Sequence, residues 1–408
     1  MKRKEKKKNA DEDELLVDGF LFSAVEAAIK KPGRMDLGLI ASKAPVRAAG
    51  LFTTNRVKAA PVLVSRNRLR NGIAQAILVN SGNANACTGK KGMDDAKEST
   101  RFIAQSLGIE ESMVLVASTG VIGQFLPMER IKAAAPDLVR SLGPNRLVDL
   151  SRAILTTDTV EKISLRQGII DDKPVKIVGI AKGSGMIMPQ MATMLCFVVT
   201  DACITSCALK SCLKEAASLS FHRITVDGDT STNDSVFALA GGKAGNREIS
   251  IRDSEDGNAF QRLLTGVLVD LAKMIVRDGE GATKSIEVRV TGSRSTGDAR
   301  KAAFAVANSS LVKTALCGED ANWGRIMAAL GRSGAILDPS QVSIAVDSFP
   351  LAENGIGCGI EAEKAATEVM RRKEFVLNID LGKGPFSFNV WTCDLSIDYI
   401  KINASYRT

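Results

Sequence analysis

Short apolar runs alternate with longer amphipathic segments along most of this chain. Runs rich in branched residues, such as Val175 to Ala181 and Met194 to Val199, have the length and composition of buried strands. Longer segments, such as Phe260 to Val276, repeat their apolar positions with the period of an amphipathic helix. Because the two kinds of segment alternate throughout, the sequence predicts the α/β class, with layered sheets and helices.

The same pattern places most of the remaining elements. Further strands are predicted over Asp36 to Ala41, Ala48 to Thr53, Ala74 to Val79, Met113 to Ala117, Ile224 to Val226, Ile286 to Val290, Val312 to Leu316, Val342 to Val346, Phe375 to Leu381 and Phe386 to Cys393. Further helices are predicted over about Met93 to Leu107, Met128 to Leu142, Leu147 to Leu155, Ser206 to Ser218, Gly297 to Ser309 and Ile360 to Arg372. At 408 residues, the chain is long enough for two domains with cores of their own.

An uncharged stretch of eighteen residues lies between Lys182 and Asp201. Its length would allow a membrane span, but Pro189 and the nearby glycines interrupt it. They favour a strand, a tight loop and a second buried strand. This division places Thr193, preceded by the small Ala192, where a loop enters a core strand.

Composition and charge narrow the classes of function. Aromatic residues make up only 4% of the chain, which disfavours base-stacking surfaces for nucleic acids. Part of the net charge of +8 comes from a basic run at residues 2–8, before the acidic patch Asp11 to Glu14. We interpret residues 1–14 as a charged, disordered tail without the apolar core of a signal peptide. We therefore expect a cytoplasmic protein with no nucleic-acid or membrane partner, whose positive charge suits small anionic substrates.

The cysteines and the single histidine limit the chemistry. None of the eight cysteines forms a C-x-x-C pair, so we expect reduced thiols and no metal site. His222 is the only histidine, and it lies beside a predicted strand, where a surface or packing role is the simpler interpretation. Any Ser-His-Asp or Cys-His mechanism would require it. The pattern therefore favours a catalytic base other than imidazole.

Three polar segments contain candidate site residues. The predicted strand Met113 to Ala117 leads through Ser118 to Thr119 and Gly120. The backbone N–H groups of Thr119 and Gly120 can hold a developing oxyanion. The cluster Thr156 to Thr159 fits either a helix C-terminal turn or a ligand shelf. Glu280 stands between two glycines and offers a carboxylate to a substrate ammonium.

An acidic run from Asp227 to Asp234 allows two interpretations. Its three aspartates and its hydroxyl groups suggest a magnesium or phosphate site. Capping of a loop by Asp and Thr side chains, without a metal, explains the same residues more simply.

Several of these segments together resemble the ornithine acetyltransferase (glutamate N-acetyltransferase) family of arginine biosynthesis. The matching segments are Lys182-Gly-Ser-Gly-Met-Ile, Met191-Ala-Thr-Met-Leu, Ser118-Thr-Gly-Val-Ile-Gly, Val226-Asp-Gly-Asp-Thr-Ser-Thr-Asn-Asp, Asp278-Gly-Glu-Gly-Ala-Thr-Lys, Asn322-Trp-Gly-Arg and Asn403-Ala-Ser-Tyr-Arg-Thr. They stand in the family's order and cover nearly everything from about Gly19 to Thr408. The resemblance implies a layered α-β-β-α sandwich with a second, smaller α/β domain.

The resemblance also implies that the chain cuts itself between Ala192 and Thr193. The products would be an alpha fragment, residues 15–192 after the tail, and a beta fragment, residues 193–408, assembled as two of each. Cleavage would make Thr193 an N-terminal nucleophile. A free α-amine has a reference pKa near ~7.7–8.0, so it can act as the base for its own hydroxyl.

The implied reaction is a ping-pong acetyl transfer with no bound cofactor. Thr193 would take the acetyl group from N-acetylornithine, and glutamate would remove it. Acetyl-CoA as a second donor is left open by the sequence. The implied oxyanion hole is the backbone of Thr119 and Gly120. The other implied substrate contacts are Thr156, Lys182, Glu280, Asn403 and Thr408.

Three other functions compete with this interpretation. A self-processing amidase or aminopeptidase of related fold would share the cleavage but end in hydrolysis. A magnesium-dependent phosphoryl-transfer enzyme would use Asp227, Asp229 and Asp234 as ligands. A binding protein would use the basic tail at residues 2–8.

Overall fold

The computed structural model describes residues 12–30, 32–188, 194–382 and 384–404. The described residues separate into two compact units. The first unit is drawn from 1–183, 190–221 and 231–271, and the second, smaller unit from 184–189, 222–230 and 272–408. Each unit combines one β-sheet with helices, so the predicted α/β class is confirmed.

The first unit is built on an eight-stranded sheet. Its strands are β1 (Phe20–Val25), β2 (Leu37–Phe52), β3 (Ile73–Asn83), β4 (Val114–Val121), β5 (Lys162–Ile170), β6 (Lys173–Lys182), β7 (Leu195–Thr200) and β8 (Ser235–Ala240). They lie in the order β4-β3-β2-β8-β7-β6-β5, and β1 pairs with β2 outside this path. Its helices are α1 (Ala60–Arg68), α2 (Gly89–Leu107), α3 (Met128–Arg140), α4 (Leu147–Ala153) and α5 (Ser206–Ser218).

Alternating side chains of this sheet enter two different hydrophobic clusters. On β3, Ala76 and Leu78 pack into the cluster that contains residues of α1, α2 and α3. Ile77 and Val79 pack into a second cluster, which contains Leu147 and other α4 residues. Successive side chains of a strand point to opposite faces, so helices cover both faces of this part of the sheet.

The centre of the sheet joins strands from both sides of the predicted cleavage point. β6 and β7 pair antiparallel with Lys182 opposite Leu195, and β7 pairs parallel with β8 with Leu195 opposite Ser235. All six residues of β7 and all six of β8 are buried, which explains their continuous apolar sequences. The expected strands Val175 to Ala181 and Met194 to Val199 are therefore confirmed.

The second unit contains a six-stranded sheet in the order β12-β11-β10-β13-β9-β14. The strands are β9 (Ser285–Ser293), β10 (Ser343–Val346), β11 (Phe349–Glu353), β12 (Ile356–Gly357), β13 (Glu374–Asp380) and β14 (Phe386–Cys393). α6 (Glu255–Arg277) passes from the first unit to the second after Leu271. The further helices are α7 (Thr296–Ala307), α8 (Ser310–Cys317), α9 (Trp323–Gly331), α10 (Ile360–Met370) and α11 (Ile397–Ala404). Within the described ranges, every helix is too short or too polar to cross a lipid bilayer.

Three sequence predictions of local structure are wrong. The segment Val312 to Leu316 belongs to helix α8, because Ser309 caps the helix and Val312, Ala315 and Leu316 bury one face at helical spacing. The segment Ile224 to Val226 forms only an isolated bridge, at Ile224.

The third error divides a single strand in two. The sequence predicts two short strands, over Asp36 to Ala41 and Ala48 to Thr53, but β2 runs unbroken from Leu37 to Phe52. Exposed charged residues and a proline interrupt the apolar pattern between them, and the pairing with β3 shifts register there. A bulge absorbs the irregularity without ending the strand.

Gly120, one of the two predicted oxyanion residues, lies very close to the backbone of the neighbouring strand β3. Its φ is +135°, and a Cβ placed there would lie 2.2 Å from the backbone carbon of Gly82. A side chain at this position therefore meets a strained dihedral and a rigid neighbour together.

We expect Gly120→Ala to destabilise the fold more than Gly108→Ala does. Gly108 also has a positive φ, of +69°, but a Cβ added there would meet nothing within 4 Å. The control should lose about 1–2 kcal/mol from the left-handed dihedral alone. Gly120→Ala should lose a further ~1–3 kcal/mol from overpacking. Urea unfolding of both variants measures the difference, and equal losses would contradict the packing argument.

Candidate active site

Three of the predicted site residues meet at the end of β6. Lys182 is the last residue of this strand, and its side chain is only 3% exposed. Its Nζ donates hydrogen bonds to Thr156 Oγ1 at 2.6 Å and to Thr119 Oγ1 at 3.3 Å. One buried ammonium thus links the strand of the predicted oxyanion residues to the polar segment that follows α4.

A buried carboxylate from that polar segment lies beside the ammonium. Asp158 Oδ1 accepts a hydrogen bond from Lys162 Nζ at 2.8 Å, and Asp158 Oδ2 lies 3.6 Å from Lys182 Nζ. The carboxylate also accepts the backbone N–H of Gly183 at 2.6 Å and that of Thr156 at 3.1 Å. Burial alone would raise the pKa of Asp158, but the two ammonium groups and these hydrogen bonds hold it well below its usual value.

Sequence reasoning named the threonines of this segment and missed the role of Asp158. The side chains of Asp158 and Lys162 are both wholly buried. Their spacing of four residues was the available signal, but the same spacing is common between exposed residues of helices. Only the fold reveals that the pair is buried and that Lys182 shares it.

The predicted oxyanion residues lie in the last part of β4. Thr119 and Gly120 pair with Ser81 and Gly82 of β3, in parallel register. Thr119 is buried, and its hydroxyl contacts Lys182 as described above. We expected Thr119 and Gly120 to lie at the end of a strand, and β4 ends one residue later, at Val121.

Glu280 and Asn403 contact each other in the second unit. Asn403 Nδ2 donates to Glu280 Oε2 at 2.8 Å, and the Glu280 backbone N–H donates to the Ser184 carbonyl at 2.8 Å. Glu280 is 9% exposed, and a Cβ on Gly185 would lie 2.5 Å from its carboxyl group. The glycine therefore leaves the space that this carboxylate occupies. Two predicted substrate contacts are brought together in this way.

The first aspartate of the Asp227 to Asp234 run accepts backbone hydrogen bonds in the second unit. Asp227 accepts the N–H groups of Met186 at 2.6 Å and Ile187 at 2.9 Å, and burial raises the pKa of its carboxyl. Across the part of the chain that is described, no group of three or more His, Cys, Asp or Glu side chains is arranged to hold a metal ion. These two contacts with backbone N–H groups are those expected of a loop-capping aspartate.

Three predicted site residues lie outside the described residues. They are Ala192 and Thr193, at the expected cleavage point, and Thr408, at the C-terminus. Met194, the residue after Thr193, is described and is 2% exposed.

Comparisons with known proteins agree on one family. The ArgJ family model matches residues 21–408. The arginine biosynthesis bifunctional protein ArgJ of Geobacter sulfurreducens is 54% identical, over 96% of this chain and 100% of the relative. A crystal structure of the Bacillus halodurans protein of the same name is 40% identical, with a TM-score of 0.49 over 52% of this chain and 98% of that one. Ornithine acetyltransferase from Mycobacterium tuberculosis, complexed with ornithine, is 36% identical, with a TM-score of 0.39 over 42% of this chain and 92% of that one.

The family match and the full-length relative define an enzyme of the acyltransferase class that works in arginine biosynthesis. The chain belongs to the ArgJ family. The resemblance inferred from the motifs is therefore confirmed, and the enzyme transfers acetyl groups.

We expect Asp158→Asn to lower the free energy of unfolding by about 3–5 kcal/mol, because it leaves two buried ammonium groups without their carboxylate. The pKa of Asp158 lies below its unfolded value, near ~3.9. Its contribution to stability is therefore fully present above about pH 4 and is lost as the pH falls through the folded-state pKa. Urea unfolding between about pH 3 and 7 measures the free energy of unfolding at each pH. In Asp158→Asn, this free energy should lack the decrease at low pH that protonation of Asp158 causes in the wild-type protein.

Asp137→Asn is the matched control for this change. Asp137 pairs with Arg140 at 3.1 Å, but its side chain is 66% exposed. Its removal should change the stability by less than about 1 kcal/mol. An equal loss in both variants would show that the burial of Asp158 is not what matters.

Proposed function

We propose that this enzyme transfers the acetyl group of N2-acetyl-L-ornithine to L-glutamate through an acetyl-Thr193 intermediate. The observation that carries the proposal is the convergence around Lys182. This residue contacts Thr119 and Thr156, and in the β6–β7 pairing it lies opposite Leu195, two residues after Thr193. The first unit therefore brings together the ammonium group of Lys182, the candidate oxyanion strand β4, and the start of β7, which follows the proposed nucleophile.

The proposed maturation is a self-cleavage between Ala192 and Thr193. The Thr193 hydroxyl attacks the Ala192 carbonyl carbon, and the peptide nitrogen leaves as the α-amine of Thr193. Water then hydrolyses the resulting ester, which returns the hydroxyl to Thr193 and gives Ala192 a free carboxylate. An unstrained planar peptide resists this rearrangement, so the reaction requires that the fold polarise or distort that bond.

The proposed transfer uses the amine that cleavage releases. The neutral α-amine of Thr193 accepts the proton of its own hydroxyl, which attacks the acetyl carbonyl of N-acetylornithine. Ornithine leaves with that proton, and the α-amine of glutamate then attacks the acetyl ester. The backbone N–H groups of Thr119 and Gly120 stabilise each tetrahedral oxyanion, and such a donor is typically worth ~10²–10³ in turnover.

We assign the remaining candidate residues by charge. Lys182, with Thr156, suits the α-carboxylate that N-acetylornithine and glutamate share. Glu280, held by Asn403, suits the side-chain ammonium of ornithine. We propose Thr408 as a further substrate contact on the strength of the terminal motif alone.

The sheet supports the proposal that the two fragments stay together. β6 belongs to the alpha fragment, whereas β7 and β8 belong to the beta fragment, and the three strands pair side by side. β2, also from the alpha fragment, pairs with β8. We propose two of each fragment in the mature enzyme, acting in the cytoplasm without a bound cofactor.

We expect Thr193→Ala to remain a single chain of 408 residues, because it has no hydroxyl to attack the Ala192 carbonyl. The wild-type protein should separate on a denaturing gel into two bands, with a beta fragment beginning Thr-Met-Leu-Cys. Thr193→Ser is the matched control, since it keeps the nucleophilic oxygen and should still be cut. Intact-mass analysis that finds an uncut but active wild-type enzyme would refute the maturation.

We expect ornithine release from N-acetylornithine to depend on glutamate after a first burst of one equivalent per Thr193. The acetyl ester needs an amine acceptor, and water should replace it only slowly. Chromatographic measurement of ornithine and N-acetylglutamate, with and without glutamate, tests this. Release at the same rate without glutamate would identify a hydrolase instead.

A second arm of the same assay replaces N-acetylornithine by acetyl-CoA. We propose acetyl-CoA as an additional donor, since the Geobacter relative is named bifunctional and the resembled family includes such members. N-acetylglutamate formed from acetyl-CoA would support this. Its absence would leave a monofunctional enzyme and the exchange reaction intact.

A further inference from the structure

Two consecutive buried residues of the Asp227 to Asp234 run take no part in the chemistry proposed above. Asn233 is 5% exposed and Asp234 is wholly buried, immediately before β8. Burying an amide or a carboxyl group costs free energy unless hydrogen bonds compensate it. Their hydrogen-bond partners therefore reveal which parts of the fold they hold.

Asn233 uses both donors of its side-chain amide on backbone carbonyls. Its Nδ2 donates to Ser118 O at 2.8 Å and to Ala84 O at 2.6 Å. Its Oδ1 accepts the hydroxyl of Thr232 at 2.5 Å, so the orientation of the amide is fixed on both sides. The side chain thereby holds the peptide that precedes Thr119 to the segment that follows β3.

This contact controls the direction of the Thr119 N–H group. The Ser118 carbonyl and the Thr119 N–H belong to one planar peptide, in which they point in opposite directions. A hydrogen bond that fixes the carbonyl fixes the N–H as well. Asn233 therefore orients one of the two proposed oxyanion donors without touching a substrate.

Asp234 holds the peptide that follows the proposed nucleophile. Its Oδ1 accepts the backbone N–H of Met194 at 3.0 Å, and the next residue, Ser235, donates its own N–H to Met194 O at 3.1 Å. The backbone carbonyl of Asp234 accepts the N–H of Thr53 at 3.0 Å. Met194 is thus bonded on both sides, one residue after Thr193.

The carboxyl group of Asp234 is suited to this position because it is favoured in its neutral form. Burial raises its pKa well above the usual value, although the Met194 N–H and the charge of Lys182 lower it. A neutral group places no negative charge next to a peptide where an oxyanion develops.

We propose that Asn233 and Asp234 are a positioning pair that keeps the nucleophile and the oxyanion donor in register. Asn233 fixes the Thr119 N–H, and Asp234 fixes the Met194 peptide beside Thr193. The covalent bond between the two residues ties these positions together. The inference rests on the proposed function, in which Thr193 is the nucleophile and Thr119 is an oxyanion donor.

The first test is Asn233→Leu, which keeps the size of the side chain and removes both hydrogen bonds. We expect kcat to fall by ~10²-fold, as for the loss of an oxyanion donor, while KM for N-acetylornithine changes by less than ~3-fold. The burst of ornithine gives the concentration of active sites. Each rate is divided by that concentration, so that misfolded protein does not lower the value of kcat. If this variant aggregates, Asn233→Ser provides the same measurement.

Asn246→Leu is the matched control. Asn246 is also 5% exposed in the first unit, and its Nδ2 donates to Cys203 O at 3.0 Å and to Arg247 O at 2.7 Å. It should lose comparable stability in urea unfolding but keep the wild-type kcat per active enzyme. Equal losses of kcat in the two variants would overturn the positioning role and leave a structural one.

The second test compares Asp234→Ala with Asp234→Asn. Alanine removes the acceptor for Met194 N–H, and we expect slower self-cleavage and a lower kcat. Asparagine keeps a neutral acceptor of the same shape and should restore most of both. Failure of asparagine to rescue either property would show that a carboxyl group is required for another reason, and would overturn the neutral-acceptor role.

The positioning pair and the proposed function fail in different ways. If wild type is uncut, or releases ornithine without glutamate, the proposed function falls. If the wild-type enzyme behaves as proposed and Asn233→Leu keeps the wild-type kcat per active site, only the positioning inference is wrong.

Discussion

The site depends on one buried carboxylate that serves two buried ammonium groups. Asp158 contacts Lys162 and Lys182, and all three side chains are almost wholly removed from solvent. Charges are costly to bury, and this arrangement is tolerable only because each charge has an opposite partner and good hydrogen bonds. The same carboxylate accepts the N–H groups of Thr156 and Gly183. Electrostatics and backbone geometry at the end of β6 are therefore fixed by a single side chain.

The strand pairing of the sheet is compatible with the proposed cleavage between Ala192 and Thr193. Lys182 and Leu195 lie opposite each other in the pairing of β6 with β7. The proposed cut lies between these two residues and would interrupt none of the strand pairings seen in the described ranges. The proposed beta fragment would stay paired with β6 through β7 and with β2 through β8. The proposed maturation is therefore compatible with an intact sheet.

Much of this architecture was predictable from sequence, because buried strands such as β7 consist almost entirely of apolar residues. The candidate site was predictable only through combined motifs, since no single segment carried enough information. Asp158 and Asn233 could not have been assigned a role, because their partners lie far away in sequence, at Lys182 and Ser118. The segment Val312 to Leu316 was predicted as a strand because a short apolar run fits the period of a strand as well as that of a helix. The structure shows a helix, which Ser309 caps.

The charge count around Asp158 gives a physical reason for carboxylate substrates. Lys162 and Lys182 share the single carboxylate of Asp158. A third ammonium lies within the field of this cluster: burial, opposed by Asp36 and assisted by the charge of Lys182, lowers the pKa of Lys30 to about 8. A substrate carboxylate beside Lys182 would give this ammonium a second anionic partner besides Asp158. Lys182 gains most from an anionic ligand because Thr119 and Thr156 offer it only neutral oxygens, and a carboxylate is the stronger partner for a buried ammonium. The proposed substrates N-acetylornithine and glutamate share that group, so Lys182 would serve both halves of the proposed exchange.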